Sequence, residues 1–147
     1  MAPRSRAVVV ERVEGAPDVP LPARATAGSA GFDLAAAESV ELARGEVRLV
    51  RTGLRLRSPA GTFLEVRPRS GLSSKGVLMV NAPGTIDRDY AGEIRVPLTF
   101  LGDGTYRVEV GDRIAQLRLV EDVATSFRRG RVAPVPSRRG GFGSTGR

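Results

Sequence analysis

Apolar and polar residues alternate with a two-residue period in several short stretches of the chain. Clear examples are Leu54-Arg55-Leu56-Arg57 and the segment 63–67, which reads Phe-Leu-Glu-Val-Arg. This period is typical of β-strands that bury one face. The pattern predicts extended segments, in chain order, at 7–13, 47–50, 53–57, 62–67, 77–80, 94–101, 106–110 and 114–120.

Glycines and prolines separate these segments, as at Pro59-Ala60-Gly61 and Gly102-Asp103-Gly104. No segment keeps a helical period over the length of an ordinary helix. Residues 70–75 alone are expected to form a short helix, and Ser70 is a residue type suited to cap it. The chain is therefore expected to be all-β, a sandwich or a jelly-roll-like barrel.

The composition excludes several kinds of chemistry. The 147 residues are enough for one domain, and they include no cysteine and no histidine. Thiolate nucleophiles, imidazole bases and most zinc sites are thereby ruled out. Catalysis would rest on carboxylates, lysine, tyrosine, backbone donors or an oxygen-bound ion such as Mg²⁺. Without a long apolar run or a signal segment, we expect a soluble, cytoplasmic protein.

The positive charge is concentrated at the C-terminus. The formal net charge is +7, and residues 128–147 supply +6 of it from six arginines and no acid. Such a tail suits phosphate groups, whether on a nucleotide or on nucleic acid. We expect residues 1–127 to form the β-barrel domain and residues 128–147 to form its flexible Gly/Arg-rich lid.

The segment 81–93, which reads NAPGTIDRDYAGE, carries the strongest chemical signal. Pro83 and Gly84 predict a tight hairpin whose exposed backbone groups can pair with a flat ligand. The residues that follow combine acids with an aromatic ring, which suits acid–base work beside a planar group: Asp87, Asp89, Tyr90 and Glu93.

Four further segments carry weaker signals. They are AGFDL at 30–34, which is expected to be a tight turn, PRSGLSSKG at 68–76, GDRIAQL at 111–117 and GGFGSTG at 140–146. Arg69 at a helix start, beside a hydroxyl and a glycine, is a candidate anion site. Gln116 lies in an apolar strand and needs a hydrogen-bond partner there. Phe142 is surrounded by glycines and can stack on a flat ring.

Taken together and in order, these five segments resemble the five motifs of the trimeric dUTPase family, from about Ala23 to the C-terminus. The resemblance implies a distorted jelly-roll, β-clip-like barrel that assembles as a homotrimer. It also implies hydrolysis of dUTP to dUMP and pyrophosphate by water attack at the α-phosphate, with Mg²⁺ held mainly by the triphosphate and water. This activity limits uracil incorporation into DNA and supplies dUMP for dTMP synthesis.

The resemblance also implies roles for individual residues. Asp87 is expected to orient and deprotonate the attacking water, and Asp33 to lie near the water shell of the metal. Tyr90 would lie under the deoxyribose and exclude a 2′-hydroxyl. The remaining expected substrate contacts are Asn81, Gly84, Thr85 and Ile86 for uracil, Arg69, Ser70, Gly71 and Gln116 for phosphates, and Arg138 or Arg139, Phe142, Gly143, Ser144 and Thr145 in the tail.

Three alternatives belong to different classes. A dCTP deaminase-like enzyme shares the fold but uses a catalytic glutamate and usually lacks the GGFGSTG tail. A basic β-barrel that binds nucleic acid is disfavoured, because aromatic residues are few and are not interleaved with the basic ones. A dUTPase-fold regulator would act through protein partners. We expect dUTP as ligand, with neither a stable nucleic-acid complex nor membrane association.

Overall fold

The computed structural model describes residues 6–133, and in this range the chain forms eleven β-strands and one helix of four residues. The elements are β1 (Val9–Arg12), β2 (Phe32–Ala35), β3 (Val40–Ala43), β4 (Val47–Arg51), β5 (Leu54–Arg57), β6 (Thr62–Arg67), α1 (Ser70–Ser73), β7 (Val77–Met79), β8 (Gly84–Ile86), β9 (Arg95–Phe100), β10 (Thr105–Val108) and β11 (Arg113–Glu121). The prediction of an all-β chain is confirmed.

The strands pair into two larger sheets and two strand pairs. The first sheet has four strands in the order β2-β11-β6-β8, and the second has three in the order β4-β9-β7. Strand β1 pairs with β5, and β10 pairs with β3. Every strand pair is antiparallel, and most neighbours are distant in sequence, as in a jelly-roll-like barrel.

The alternation seen in the sequence places one face of each strand in a common core. In β5, Leu54 and Leu56 are buried while Arg55 and Arg57 are exposed. Each fully buried leucine or isoleucine contributes about 1.5–3 kcal/mol relative to an exposed one. The largest buried apolar side chains come from both larger sheets and from both strand pairs: Leu34, Leu42, Leu54, Leu98, Ile114, Val50, Val77, Val96 and Val108.

All eight predicted strands are present, and three further strands were not predicted. Strand β2 was expected to be a tight turn, but it pairs with β11 over Phe32 to Ala35. Strand β3 is short, and β8 has three residues that begin with a glycine. Long-range pairing therefore overrides weak local propensity in these segments.

Two local predictions around the helix and the hairpin are wrong. Ser70 is the first residue of α1, the N-cap is Arg69, and no side chain caps the helix. The expected hairpin is a crossing between sheets, because β7 pairs with β9 and β8 pairs with β6. The Ala82–Pro83 peptide bond is cis, and Gly84 does not have a positive φ.

The helix found within residues 6–133 does not have the length and hydropathy of a membrane span.

Candidate functional site

A cavity of ≈ 160 Å³ lies between strands of the two larger sheets. Strands β6 and β8 line one side, and β7 and β9 line the other. Six residues predicted from the sequence lie in its wall, namely Asn81, Gly84, Thr85, Ile86, Asp87 and Tyr90. The other lining residues are Val66, Met79, Ile94, Arg95 and Pro97. The structure thus brings six residues of the motif 81–93 to a single cavity.

Strand β8 lies at one edge of its sheet, and within residues 6–133 it pairs only with β6. An edge strand leaves alternate backbone N–H and C=O groups free for an added partner. Gly84 is buried, and a Cβ at this position would lie 3.1 Å from Asn81 Nδ2 and 3.4 Å from Met79 Cε. Gly84 is therefore needed for close approach of the Asn81 amide to the edge strand.

Asp87 and Tyr90 lie in the turn that follows β8. The backbone N–H of Tyr90 donates to the carbonyl oxygen of Asp87 at 3.1 Å, which closes the turn. Asp87 is exposed, and within residues 6–133 its carboxylate forms no ion pair. The Tyr90 hydroxyl donates to the backbone oxygen of Glu93 at 3.1 Å. The cavity therefore has an available carboxylate beside an anchored aromatic ring.

Asp33 on β2 forms ion pairs with Arg69, which was predicted as a site residue, and with Arg113 on β11, which was not. Arg69 Nε donates to Asp33 Oδ1 at 3.0 Å, and Arg113 donates to Asp33 Oδ2 at 3.2 Å. A second nitrogen of Arg69, Nη1, donates to the backbone oxygen of Arg113 at 3.0 Å. Asp33 therefore orients two guanidinium groups, and both are partly exposed. We name Asp33, Arg69, Arg113 and Gln116 the arginine cluster.

Gln116 has the partner that its position in an apolar strand required. Its Nε2 donates to the backbone oxygen of Pro68 at 3.0 Å. A Cβ at Gly31 would overlap Gln116 Oε1 and lie 3.2 Å from Cδ. Gly31 thus makes room for this amide, which explains one glycine of the AGFDL motif.

Ser70 and Gly71 begin α1, directly after Arg69. Both are exposed, and a Cβ at Gly71 would meet no heavy atom within 4 Å. The structure therefore places these two residues at the surface beside the arginine cluster, where backbone and hydroxyl are accessible. Their predicted contacts with phosphate stay predictions.

Within residues 6–133, the cavity wall contains no member of the arginine cluster. None of Asp33, Arg69, Ser70, Gly71 or Gln116 lines the cavity. The predicted tail residues lie outside the described residues: Arg138, Arg139, Phe142, Gly143, Ser144 and Thr145. The part of the chain that the structure describes thus presents two partial sites.

The sequence grouped Glu93 with the acids suited to acid–base work, but the structure gives Glu93 a different role. Its side chain is only 10% exposed. It accepts hydrogen bonds from Arg51 Nε at 3.1 Å and from the Gly53 backbone N–H at 3.0 Å, and it also pairs with Arg95. It is therefore an anchor between the Tyr90 turn and the β4–β5 connection. Sequence reasoning missed this contact, because Arg51 and Gly53 are distant in the chain.

The comparisons with known proteins agree on one family. The dUTPase family model matches residues 17–146. A deoxyuridine 5′-triphosphate nucleotidohydrolase from an Anaeromyxobacter species is 51% identical, with 95% of this chain and 97% of the relative covered. These matches include the segments that form the cavity and the arginine cluster.

Two solved structures have the same fold. The dUTPase of Staphylococcus bacteriophage 80alpha with dUPNHPP has a TM-score of 0.82 and 26% identity, covering 95% of this chain and 98% of its own. The dUTPase of Streptococcus mutans has a TM-score of 0.75 and 31% identity, covering 80% and 98%. With a family match over most of its length and a 51% identical relative, the chain belongs to the dUTPase family.

Proposed function

We propose that this protein hydrolyses dUTP to dUMP and pyrophosphate. The observation that carries the proposal is the convergence of Asn81, the β8 backbone, Asp87 and Tyr90 on one cavity. Membership of the dUTPase family supports the same reaction. In the cell, this reaction would limit uracil incorporation into DNA and supply dUMP for dTMP synthesis.

The edge strand β8 suits recognition of uracil. The base presents two carbonyl oxygens and one N–H along one edge, and an unpaired strand edge offers complementary groups at a regular spacing. The Asn81 side chain, held close to Gly84, adds both an amide donor and an acceptor. The base would thus be read mainly by backbone groups, whose positions are fixed by pairing with β6.

Asp87 is the candidate general base for the chemical step. It would accept a proton from water as the water oxygen bonds to the α-phosphorus. The bond between the α-phosphorus and the bridging oxygen breaks, and pyrophosphate leaves with that oxygen. Phosphoryl transfer depends chiefly on positioning and charge stabilisation, so a chain without histidine or cysteine is sufficient.

The arginine cluster suits the phosphates. Arginine donors bind phosphate oxygens in charge-assisted hydrogen bonds, and Asp33 holds the guanidinium of Arg69 in place for this role. Ser70, Gly71 and Gln116 lie beside it and would add neutral donors.

The described residues do not fit a magnesium site made of protein ligands. Within residues 6–133, no group of three His, Cys, Asp or Glu side chains is placed to hold a metal. Both oxygens of Asp33 face arginines, which oppose a cation there. We therefore propose that magnesium arrives with the triphosphate and its water, and the contact of Asp33 with that water shell stays a prediction.

We propose a homotrimer, which the dUTPase family pattern supports and which fits a cavity wall that, within residues 6–133, holds none of the predicted phosphate-binding residues. A cavity with the base-reading groups and a cluster with the phosphate-binding groups would form one site if neighbouring subunits supplied them. By the family pattern, one subunit supplies Asp33, Arg69 and Gln116, a second supplies the segment 81–90, and a third supplies the tail.

Sedimentation should therefore give a single species of three subunits that retains activity. The expected mass is three times the chain mass of 15.6 kDa. Light scattering on the same sample is an independent check, and a fully active monomer in either measurement would contradict the shared site.

An assay of pyrophosphate release against the four common dNTPs, dUTP and UTP tests the reaction. We expect dUTP to be strongly preferred, because the cavity walls should exclude both a 5-methyl and a 2′-hydroxyl group. Chelation of magnesium should suppress the activity, and added magnesium should restore it. Comparable turnover of dTTP or UTP would argue against this specificity. Ammonia release from dCTP would instead support the deaminase alternative.

A further inference from the structure

The ring of Tyr90 lies directly over the backbone of Gly92. A Cβ at position 92 would lie 2.6 Å from Tyr90 Cζ and would also overlap the hydroxyl oxygen. Gly92 does not have a positive φ, so its backbone conformation is open to alanine. The Tyr90 ring is therefore the group that a side chain at position 92 would displace.

The hydroxyl of Tyr90 is fixed by a second contact. It donates to the backbone oxygen of Glu93, whose carboxylate is bound to Arg51 and to the Gly53 N–H. The next residue, Ile94, is also locked, because its N–H donates to the Leu54 oxygen at 2.8 Å. The acceptor for the tyrosine hydroxyl is thus held by the β4–β5 connection and not by the exposed turn.

These two contacts matter because the ring is otherwise open. Tyr90 is 47% exposed and forms part of the cavity wall with Asn81 and Asp87. The Tyr90 ring can exclude a group as small as one hydroxyl only if the ring itself moves by much less than the size of that hydroxyl. Steric exclusion by Tyr90 therefore requires that the ring cannot move away from the cavity.

We propose that Gly92 is a specificity-determining residue and that Glu93 is a positioning residue for Tyr90. The missing side chain at 92 lets the ring lie against the chain, and Glu93 holds the acceptor that fixes its hydroxyl. Together they set the discrimination between 2′-deoxyribose and ribose. This inference rests on the proposed hydrolysis of dUTP and deepens it.

The variant Gly92→Ala tests the inference through the ratio of kcat/KM for dUTP to kcat/KM for UTP. We expect this ratio to fall at least about tenfold, in the range that one lost steric or polar contact gives. The melting temperature should change little, since Gly92 is partly exposed and the ring can rotate outwards. A ratio equal to that of the unmodified protein would overturn the role of Gly92.

Two further variants separate positioning from a general structural effect. Gly28→Ala is the matched control, because a Cβ there would meet no heavy atom within 4 Å and its φ is not positive, so the ratio should not change. In a Tyr90→Ala background, Gly92→Ala should leave the ratio where Tyr90→Ala alone puts it. A further fall in that background would show that position 92 does not act through the ring.

The variant Tyr90→Phe tests the contact with Glu93 and remains informative if Gly92→Ala does not fold. It keeps the ring but loses the hydroxyl, and we expect the ratio to fall, by less than in Gly92→Ala. An unchanged ratio would overturn the role of the Glu93 acceptor.

The unmodified protein separates failure of this inference from failure of the proposed function. If it does not hydrolyse dUTP, the proposed function is wrong, and binding of dUDP and UDP measured by calorimetry decides the inference. A preference for dUDP that Gly92→Ala removes would support it. If the unmodified protein and Gly92→Ala both hydrolyse dUTP with the same preference over UTP, the inference is wrong and the proposed function is unaffected.

Discussion

Replacement of Asp87 by asparagine should lower the turnover of dUTP by at least about 100-fold, the lower end for loss of a general base. The amide keeps the shape of the side chain but cannot accept a proton from the attacking water. Because Asp87 is exposed and forms no ion pair within residues 6–133, the fold should not depend on its charge. Single-turnover kinetics and the dissociation constant for dUTP, measured together, would show a loss in chemistry with binding retained.

The neighbouring carboxylate provides the matched control. Asp89 lies in the same turn but does not line the cavity; it faces a different surface with Arg57 and Asp122. Asp89→Asn should therefore keep most of the activity. Near-normal turnover of Asp87→Asn would place the base elsewhere, with Asp33 and Asp89 as the remaining candidates.

Replacement of Arg69 should have the second largest effect. Arg69→Ala removes the guanidinium that Asp33 orients and that Ser70 and Gly71 flank. Hydrogen bonds to charged groups contribute about 1.5–3 kcal/mol each, so kcat/KM should fall roughly 10- to 100-fold. Arg69→Lys keeps the charge but not the fork of donors, and it should recover only part of this loss. Normal kcat/KM in Arg69→Ala would remove the arginine cluster from the site.

Mixing the two impaired variants tests whether the site is shared. If one subunit supplies Asp87 and another supplies Arg69, trimers reassembled from equal amounts of Asp87→Asn and Arg69→Ala chains should contain intact sites. Random assembly makes about one quarter of the sites intact in a symmetric oligomer. Activity that stays at the level of the separate variants after reassembly would place both groups in one chain.

The sequence was sufficient to predict the strands in which apolar and polar residues alternate strongly and which end at turn residues. Strand β6, Thr62–Arg67, was predicted to the residue because its buried and exposed positions alternate without interruption. Strand β8 could not be found in this way, since three residues that begin with glycine have almost no periodicity. Its position is decided by pairing with β6, which is a long-range contact.

The same distinction holds for the site. The motif 81–93 contains six of the cavity residues, which are neighbours in the chain as well as in space. The sequence did not show that Asp33 lies between two arginines, or that Glu93 binds Arg51 and Gly53. These partners are separated by many residues, and only the sheet register brings them together. Local patterns thus predicted candidate residues, while pairing between distant strands decides what each one contacts.

The position of the cavity between two sheets has a consequence for the lifetime of the protein. A nucleotide in this cavity would touch β6 and β8 on one side and β7 and β9 on the other, so it would add contacts between the two sheets. A ligand present at 100 times its dissociation constant stabilises the folded state by about 2.7 kcal/mol. Proteolytic turnover that proceeds through opening of the sheets would then slow as the nucleotide pool rises. The abundance of the protein would in this way follow the supply of its own substrate.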